Sequence, residues 1–470
     1  MPAAVIFRRL GAVAALAMAL GFCISPRAAE RSSHLGIGQA LRYALEHAPT
    51  ITSAKANITG SEAQKLAAIA AFLPSLTLTE QLQTFHPYSG AGSTFIGGLV
   101  VPAQHPFDVS VASPNLNFNL YNGGKDTANY HSAIEALRSA NLGFTATMDS
   151  LFQQILADFS AAGTDQLMVQ SLERSLRIDE ELVDLMQRKM QGQFASKIDL
   201  IKSQQQMLQA QTQLSQARQQ RIADLEKLYA DMGLPQTDLN LKIQPWLPPA
   251  PPSDGSGVVI ADDPQVLSAR AAVLSAQHKV DAARAEYMPT LAVTGQYYFL
   301  GFGTSSFGEA LNSTSRSNYM IGLLLTVPIL PVYNVQADVK QALANVDSAQ
   351  GQYQGAMASA ANRTSDATVR LAEARKTLDF AIRSAELAHN NVRLTEDSYA
   401  AHQSDRFDVD NARLLAEQAD LSLASAKLNF HQAGWEMYRT AHPSAFPTQL
   451  LSAVLKDHDP AQIAVTAESE

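Results

Sequence analysis

The sequence predicts a mostly α-helical protein with a smaller β portion, built as an internal duplication. Two segments, 49–81 and 264–296, align without gaps and are identical at eleven of 33 positions. In both, a helical composition changes to alternating apolar and polar residues directly after a proline, which disfavours helix in the residue before it. No proline lies within 115–234 or 332–442, so each repeat has room for long uninterrupted helices.

The N-terminus has the order of a secretory signal peptide. Two arginines precede an uncharged, mostly apolar run over 10–24, and small residues follow it. The run is shorter than the ~20 residues that span a bilayer as a helix. We therefore predict that 1–29 is a signal peptide that is removed on export. Lipid attachment at Cys23 is a minor alternative, because bulky Phe22 stands where a lipoprotein peptidase takes a small residue.

The composition argues against several classes of function. The chain has 470 residues, a net charge of -9 and one cysteine. An acidic balance argues against nucleic-acid binding, which needs basic residues to neutralise phosphates. A single cysteine excludes a disulfide framework and a structural zinc cluster. The sequence has no nucleophile elbow, phosphate-binding loop or histidine pair at metal-ligand spacing, so we predict no enzyme activity, cofactor or metal.

Each repeat begins with a helix that leads into a strand. The helices are predicted over 36–72 and 264–287, where Ala, Leu, Gln and Lys predominate. Apolar and polar residues then alternate over 76–82 in the first repeat and over 291–299 in the second. This period of two predicts strands whose two faces meet different media.

A second strand follows a loop rich in Gly, Ser and Asn in each repeat. The alternation covers 107–120 in the first repeat and 319–327 in the second. In the first repeat its phase shifts near Pro114, which predicts a β-bulge at that point.

Each repeat is predicted to end in a long antiparallel helical hairpin. The first hairpin turns near 190–196, with Ser196 placed to cap the returning helix, and the second turns near 401–406. Apolar residues recur at steps of three and four, which is typical of a bundle or coiled-coil seam.

The predicted organisation divides the chain after the signal peptide into four parts. The first repeat covers 30–244, a proline-rich linker covers 245–262, and the second repeat covers 263–442. The remaining residues, 443–470, form a C-terminal tail that we expect to be partly disordered.

This order of elements resembles the TolC-like outer-membrane efflux proteins over about 35–442. The segments 72–76 and 287–291 resemble the junction between helix and barrel in that family. The segments 118–124 and 326–330 resemble its return from the barrel to the long helix. No single motif is specific, but the doubled order with the right lengths is.

The resemblance implies a homotrimer in the cell outer membrane. Four strands from each of three chains would form one 12-stranded β-barrel in contact with outer-membrane lipid, and the helices would form a tunnel in the periplasm. The implied function is a passive exit duct for small molecules such as drugs. An inner-membrane pump and a periplasmic adaptor, also called a membrane fusion protein, would hand the molecules over.

The resemblance also implies roles for residues at the hairpin turns. The turns lie where the family docks its adaptor, which implies docking residues Gly192, Gln193, Ser196, Asp199, Gln403 and Ser404. The stretch after the second turn matches the acidic ring of the periplasmic gate, which implies Asp408 and Asn411 on one helical face, with Asp410 on an adjacent one. The family often has a carboxylate in place of Asn411. Alternatively, Asp408 is simply a helix N-terminal residue favoured by the dipole.

Other functions remain open at this stage. The same fold serves as a type I protein secretion channel, and the sequence does not separate this function from small-molecule efflux. An exported periplasmic coiled-coil adaptor or scaffold is a third possibility. Adaptors carry one hairpin with flanking β-rich domains, whereas this chain has two hairpins and amphipathic strand pairs.

Overall fold

The computed structural model describes residues 34–85, 94–96, 99–101, 107–234, 242–243, 260–303, 307–313, 316–329 and 332–443. The predicted signal peptide with Cys23, most of the predicted linker and the tail beyond Pro443 lie outside these ranges. Cleavage after export and lipid attachment therefore stay predictions.

The first half of the chain contains four helices and five strands within the described ranges. In chain order they are β1 (His34–Leu35), α1 (Ile37–His47), α2 (Pro49–Ala70), β2 (Ser75–Phe85), β3 (Thr94–Ile96), β4 (Leu99–Val101), β5 (Phe107–Asn122), α3 (Lys125–Gln191) and α4 (Lys197–Met232). The helix α2 has Pro49 in its first turn, where a missing N–H costs nothing.

The second half repeats this order after a short strand. Its elements are β6 (Lys242–Ile243), 3₁₀ turns at Ile260–Asp262 and Ala285–Tyr287, α5 (Pro264–Arg284), β7 (Thr290–Gly303), α6 (Phe307–Asn312), β8 (Arg316–Thr326), α7 (Val332–Ala400) and α8 (Arg406–Ala441). The predicted succession of helix, two strands and helical hairpin is thus found twice.

The strands β2, β5, β7 and β8 form one antiparallel sheet in that order. The central pairing joins β5 of the first repeat to β7 of the second, so the sheet unites the two repeats. Two small pairs are separate from it: β1 with β6 in parallel, and β3 with β4.

The predicted β-bulge at Pro114 is wrong. Pro114 lies opposite Leu78 in an unbroken register between β2 and β5. The irregularity in the sheet falls instead between Asn119 and Tyr121, where β5 pairs with β7.

The phase of the alternation shifts because β5 presents apolar residues on opposite faces of the sheet. Val109 and Val111 are buried on one face, in a small cluster with Leu300. Leu116 and Phe118 lie on the other face, as their cross-strand partners show. A change of face and a change of register give the same pattern in the sequence, and only the pairing separates them.

Each hairpin joins one very long helix to a shorter one. The helices α3 and α7 have 67 and 69 residues, and α4 and α8 have 36 each. At 1.5 Å per residue the longer helices reach ~100 Å. Within the described ranges, none of the helices combines the length and the apolar composition needed to cross a membrane.

The largest apolar core lies where α1 packs against both hairpins near their base. Its fully buried side chains include Ile37, Leu41, Phe152, Phe159, Leu228, Met232 and Trp435. They come from α1, α3, α4 and α8, so this cluster joins the first hairpin to the second. Burying each of these side chains contributes about 1.5–3 kcal/mol.

A turn at Gly123 and Gly124 connects the sheet to the first hairpin. Both residues have positive φ angles, 61° and 86°, which favour glycine. A Cβ atom on Gly123 would lie 2.6 Å from the carbonyl oxygen of Ala285, so only glycine lets the two repeats approach here. Next to it, Lys125 Nζ and Glu286 Oε1 form an ion pair of 2.7 Å.

Candidate functional site

One face of the four-stranded sheet is apolar and exposed. Residues that lie directly opposite across strands share a face, and the register therefore places one set of side chains together. The set contains Leu76, Leu78, Leu116, Phe118, Leu291, Val293, Tyr297, Tyr319, Ile321, Leu323 and Leu325. Leu76, on the edge strand β2, is 73% exposed, and Ile321, on the other edge strand β8, is 75% exposed. A continuous apolar surface of this kind marks contact with lipid or protein.

The opposite face is largely polar along the same stretch of β2, β5 and β7. It carries Thr77, Thr79, Gln81, Ser113, Asn115, Asn117, Thr294 and Gln296. Thr79 Oγ1 lies 2.8 Å from Ser113 Oγ, and the amide of Asn115 donates to Thr79 Oγ1 at 3.0 Å. The two faces of the sheet therefore suit an apolar medium and water, respectively.

The sheet has two free edges. Within the described residues, the outer sides of β2 and β8 pair with no other strand. Both strands have 11 residues. Unpaired backbone N–H and C=O groups along an edge are a template for another strand.

The two hairpin turns have the same backbone. Two residues after the end of each long helix stands a residue with a positive φ, Gln193 at 63° and His402 at 59°. The N–H of the next residue returns to the helix, from Phe194 to Lys189 O at 2.8 Å and, in the second turn, from Gln403 to Ser398 O at 2.9 Å. This is the Schellman arrangement, which usually has glycine at the left-handed position.

Both returning helices begin with a capping box. Ser196 caps α4, as predicted, and shares hydrogen bonds with Asp199 three residues later. Asp405 and Asp408 repeat the arrangement at the start of α8. Hydrogen bonds from the Ser196 side chain and backbone hold the pKa of Asp199 below its usual value. A side-chain hydrogen bond from Lys189 does the same for the pKa of Asp405.

The three predicted gate residues differ in how far they are exposed to solvent. Asp408 is exposed, and its Oδ2 accepts the backbone N–H of Asp405 at 3.2 Å. Asp410 is buried, with its Oδ2 3.6 Å from Arg406 Nε, and burial raises the pKa of Asp410. Asn411 is half-buried. The carboxylate of Asp408 thus has a capping role, whatever else it contacts.

The two turns are tied to each other by ion pairs. Lys189, in the last turn of α3, pairs with Asp405 of the second turn. Arg406 Nη2 lies 3.2 Å from Glu181 Oε2, also on α3. The predicted docking residues of both hairpins are therefore held at one end of the molecule.

Phe194 is a residue of the first turn that the sequence analysis missed. Its side chain is 88% exposed, and Ile198 beside it is exposed as well. A Cβ atom on Gly192 would lie 2.9 Å from the Phe194 ring, so the glycine lets the ring fold back against the helix end. The sequence feature that could have indicated Phe194 is an aromatic residue between polar and small residues in a predicted turn.

Two further apolar stripes were missed on the hairpins. Each recurs every seven residues, apart from one interruption at Ser215 of α4. The exposed side chains are Ile201, Leu208 and Ile222 on α4, and Phe380, Leu387 and Leu394 on α7. The seams within the hairpins lie on other faces, at residues such as Leu214 and Ala385. A heptad stripe without a partner in its own chain predicts a coiled-coil contact with another chain.

The described ranges contain no group of three or more His, Cys, Asp or Glu side chains that could hold a metal ion.

Comparison with known proteins identifies the family. The family model described as outer membrane efflux protein matches residues 40–234 and 257–440. The chain belongs to the outer membrane efflux protein family. No curated protein matches its sequence.

Solved structures of channels share the fold of this outer membrane efflux protein. The Campylobacter jejuni CmeC outer membrane channel is 16% identical with a TM-score of 0.74, covering 90% of each chain. The Vibrio cholerae outer membrane protein VceC is 15% identical with a TM-score of 0.70, covering 86% of this chain and 95% of that one. The open state of the Neisseria gonorrhoeae MtrE channel is 16% identical with a TM-score of 0.65, covering 86% and 88%.

These findings confirm the predicted fold class. The outer membrane efflux protein is mostly α, with long antiparallel helical hairpins and four strands that correspond to the β-barrel portion of these channels. It belongs to a family of outer-membrane channels, and it is not an enzyme.

The two faces of the sheet predict opposite responses to a buried charge. Ile321→Lys places an ammonium on the apolar face and should cost about 2–4 kcal/mol near the bilayer midplane. Thr294→Lys, on the polar face of the neighbouring strand, should be tolerated. The yield of heat-resistant oligomer from isolated outer membranes measures both effects. Equal yields for the two variants would contradict the assignment of the faces.

Proposed function

We propose that three copies of this chain form a channel in the cell outer membrane, with its helical tunnel in the periplasm. The channel would be a passive exit duct for small molecules such as drugs, handed over by an inner-membrane pump and a periplasmic adaptor. The observation that carries this proposal is the sheet with one exposed apolar face, one polar face and two free edges.

Closure of the sheet supports a ring of copies. The strands run alternately up and down in the order β2, β5, β7 and β8. When β8 of one copy pairs with β2 of the next, the alternation continues unbroken. Three copies then give 12 strands with no free edge, polar inside and apolar outside.

The stripes on the hairpins support the same ring. Leu208 lies ~16 Å from the start of α4, and Leu387 lies ~20 Å from the end of α7, at 1.5 Å per residue. Farther from the turn, the small residue Ser215 lies ~27 Å from the start of α4, and Phe380 lies at a similar distance of ~30 Å from the end of α7. When α4 of one copy is placed beside α7 of its neighbour with the turns level, Leu208 lies near Leu387. The large side chain of Phe380 then lies near the small side chain of Ser215.

We propose that the turns dock the adaptor. The residues are those predicted from the sequence, Gly192, Gln193, Ser196, Asp199, Gln403 and Ser404, with Phe194 added. A largely exposed aromatic side chain at the end of a hairpin is the type of residue that dominates interface energies. The left-handed residues Gln193 and His402 fix the shape of both turns.

Phe194→Ala should weaken adaptor docking, because it removes an exposed aromatic anchor worth about 2 kcal/mol or more at an interface. Tyr333→Ala is the matched control, since Tyr333 is an equally exposed aromatic residue at the end of α7 that lies far from the turns. Drug resistance of cells that carry each variant, at equal abundance of the oligomer, measures the effect. Resistance lost only in Phe194→Ala supports docking through the first turn, and unchanged resistance in this variant contradicts it.

We propose Asp408 as the gate carboxylate. Asn411 shares its helical face, and Asp410 lies on an adjacent face. Threefold symmetry would bring three Asp408 side chains around one opening, and their summed field would favour cations. Asn411 makes this ring weaker than one with two carboxylates per chain. Asp408 is exposed, which the proposal requires.

Because the capping box occurs in both turns, a pair of variants can distinguish a gating role of Asp408 from its capping role. Asp408→Asn and Asp199→Asn remove the same capping carboxylate from equivalent turns. Only Asp408→Asn should lower cation selectivity and weaken block by a trivalent cation in planar bilayers. If both variants, or neither, change the selectivity, Asp408 has no gating role beyond its cap.

Two other functions are less well supported. A type I protein secretion channel would use the same fold, and a strain lacking the gene would then lose a secreted polypeptide instead of drug resistance. An exported periplasmic adaptor or scaffold would not need the exposed apolar sheet face.

A further inference from the structure

Four aspartates face one another across the seam between α3 and α4. Asp224 on α4 lies close enough to Asp165 on α3 to raise the pKa of the Asp165 carboxyl group. Asp158 and Asp231 form a second such pair. The pairs are two helical turns apart, or ~10 Å, so they stack as two layers along one seam.

Each carboxyl pair contains one buried oxygen that lacks a hydrogen-bond donor. Asp165 Oδ2 and Asp231 Oδ2 are buried and have no hydrogen-bond partner. Asp158 is only 3% exposed, and it accepts hydrogen bonds from Lys227 Nζ at 2.6 Å and from the Gln154 amide at 3.0 Å. Two carboxylates in contact repel each other strongly, whereas one shared proton turns the contact into a hydrogen bond.

Lys227 is a cation next to the carboxyl pairs. Lys227 contacts the Asp158–Asp231 layer and lies within electrostatic range of Asp224. On the helices packed against this region, α8 carries Lys427 and His431, and α1 carries Arg42, Glu46 and His47. Among the described residues, none of these groups of α8 and α1 forms an ion pair with the four carboxyls, whereas Lys227 pairs with Asp158.

The second hairpin has no such layers. When the two hairpins are aligned at their turns, Ala367 and Ala374 occupy the positions of Asp158 and Asp165. Ala433 and Thr440 likewise replace Asp224 and Asp231. Ala367 and Ala433 are buried, so the same seam packs well with small uncharged side chains. The carboxyl pairs are therefore not required by the fold of a hairpin.

We propose that the two carboxyl pairs make the α3–α4 seam a proton-dependent clasp, which tightens the first hairpin in acid and loosens it as the pH rises. The clasp is independent of what the channel transports. It gives the two hairpins of one chain different responses to the pH of their surroundings.

The pKa shifts agree with this direction. Burial and the facing Asp224 raise the pKa of Asp165 to about 7, and burial and Asp158 raise the pKa of Asp231 to about 6. Both values lie above the ordinary pKa of 3.8. The stabilisation is therefore fully present below about pH 4 and is lost as the pH rises through about 6 to 7.

Hydrogen exchange of the full-length protein in detergent tests the clasp. After correction for intrinsic rates, the opening equilibrium of the seam peptides 162–168 and 221–228 should rise up to about tenfold per pH unit between pH 5 and 7. It should level off above about pH 8. The α7 segment 367–374, which carries alanines instead, should show no such rise.

The double variant Asp165→Asn with Asp224→Asn keeps the shape of the Asp165–Asp224 pair but replaces both carboxyl groups with amides that do not titrate. Its seam peptides should lose the part of the rise near pH 7 and keep the part near pH 6 that comes from Asp158 and Asp231. Asp165→Ala with Asp224→Ala copies the second hairpin and should behave in the same way, which guards against a folding defect in either variant. A flat profile in the unaltered protein, or the full pH dependence in both double variants, would overturn the proposal.

A separate titrating group serves as an internal reference. Burial raises the pKa of Asp149 to about 6, although Arg439 Nη1 lies 3.0 Å away and lowers it. This pair joins α3 to α8, away from the carboxyl layers. Peptides around Asp149 should keep their own pH dependence in both double variants, which distinguishes the clasp from a global change in stability.

Discussion

Unpaired backbone groups at the two edges of the β2–β5–β7–β8 sheet constrain the rest of the molecule. A sheet whose one face is apolar can remove its edges from solvent or lipid only by pairing with further strands. The described part of the chain contributes four strands to this sheet, and both outer strands have the same length. In the proposed ring the hairpins have to fit the same arrangement of copies, because they are joined to the sheet through short turns such as Gly123–Gly124. The exposed stripes on α4 and α7 meet this requirement.

Much of the fold could be predicted from the sequence because local signals are strong. Prolines end the first helices, period-two alternation marks the strands, and Ser196 marks the start of a helix. The wrong prediction concerned Pro114, since alternation alone does not distinguish a bulge from apolar residues on both faces. The register, with Pro114 opposite Leu78, depends on the partner strand.

The candidate sites were less predictable because they depend on tertiary contacts. The turns themselves could be placed from their composition, but the exposure of Phe194 depends on how its ring folds over Gly192. The difference between exposed Asp408 and buried Asp410 depends on how the helices pack, which the sequence does not give. The carboxyl pairs could not be seen at all, because the antiparallel register of α3 and α4 brings together residues far apart in the sequence.

Interchain disulfides would test most directly whether copies of the chain complete the sheet and the tunnel. Leu208→Cys combined with Leu387→Cys places one thiol on each stripe, at heights from the turns that differ by only ~3 Å. After oxidation in intact membranes, this account predicts a ladder of monomer, dimer and trimer that ends at the trimer, and no ladder for either single variant. A product confined to the monomer, or a ladder that continues beyond three chains, would contradict it.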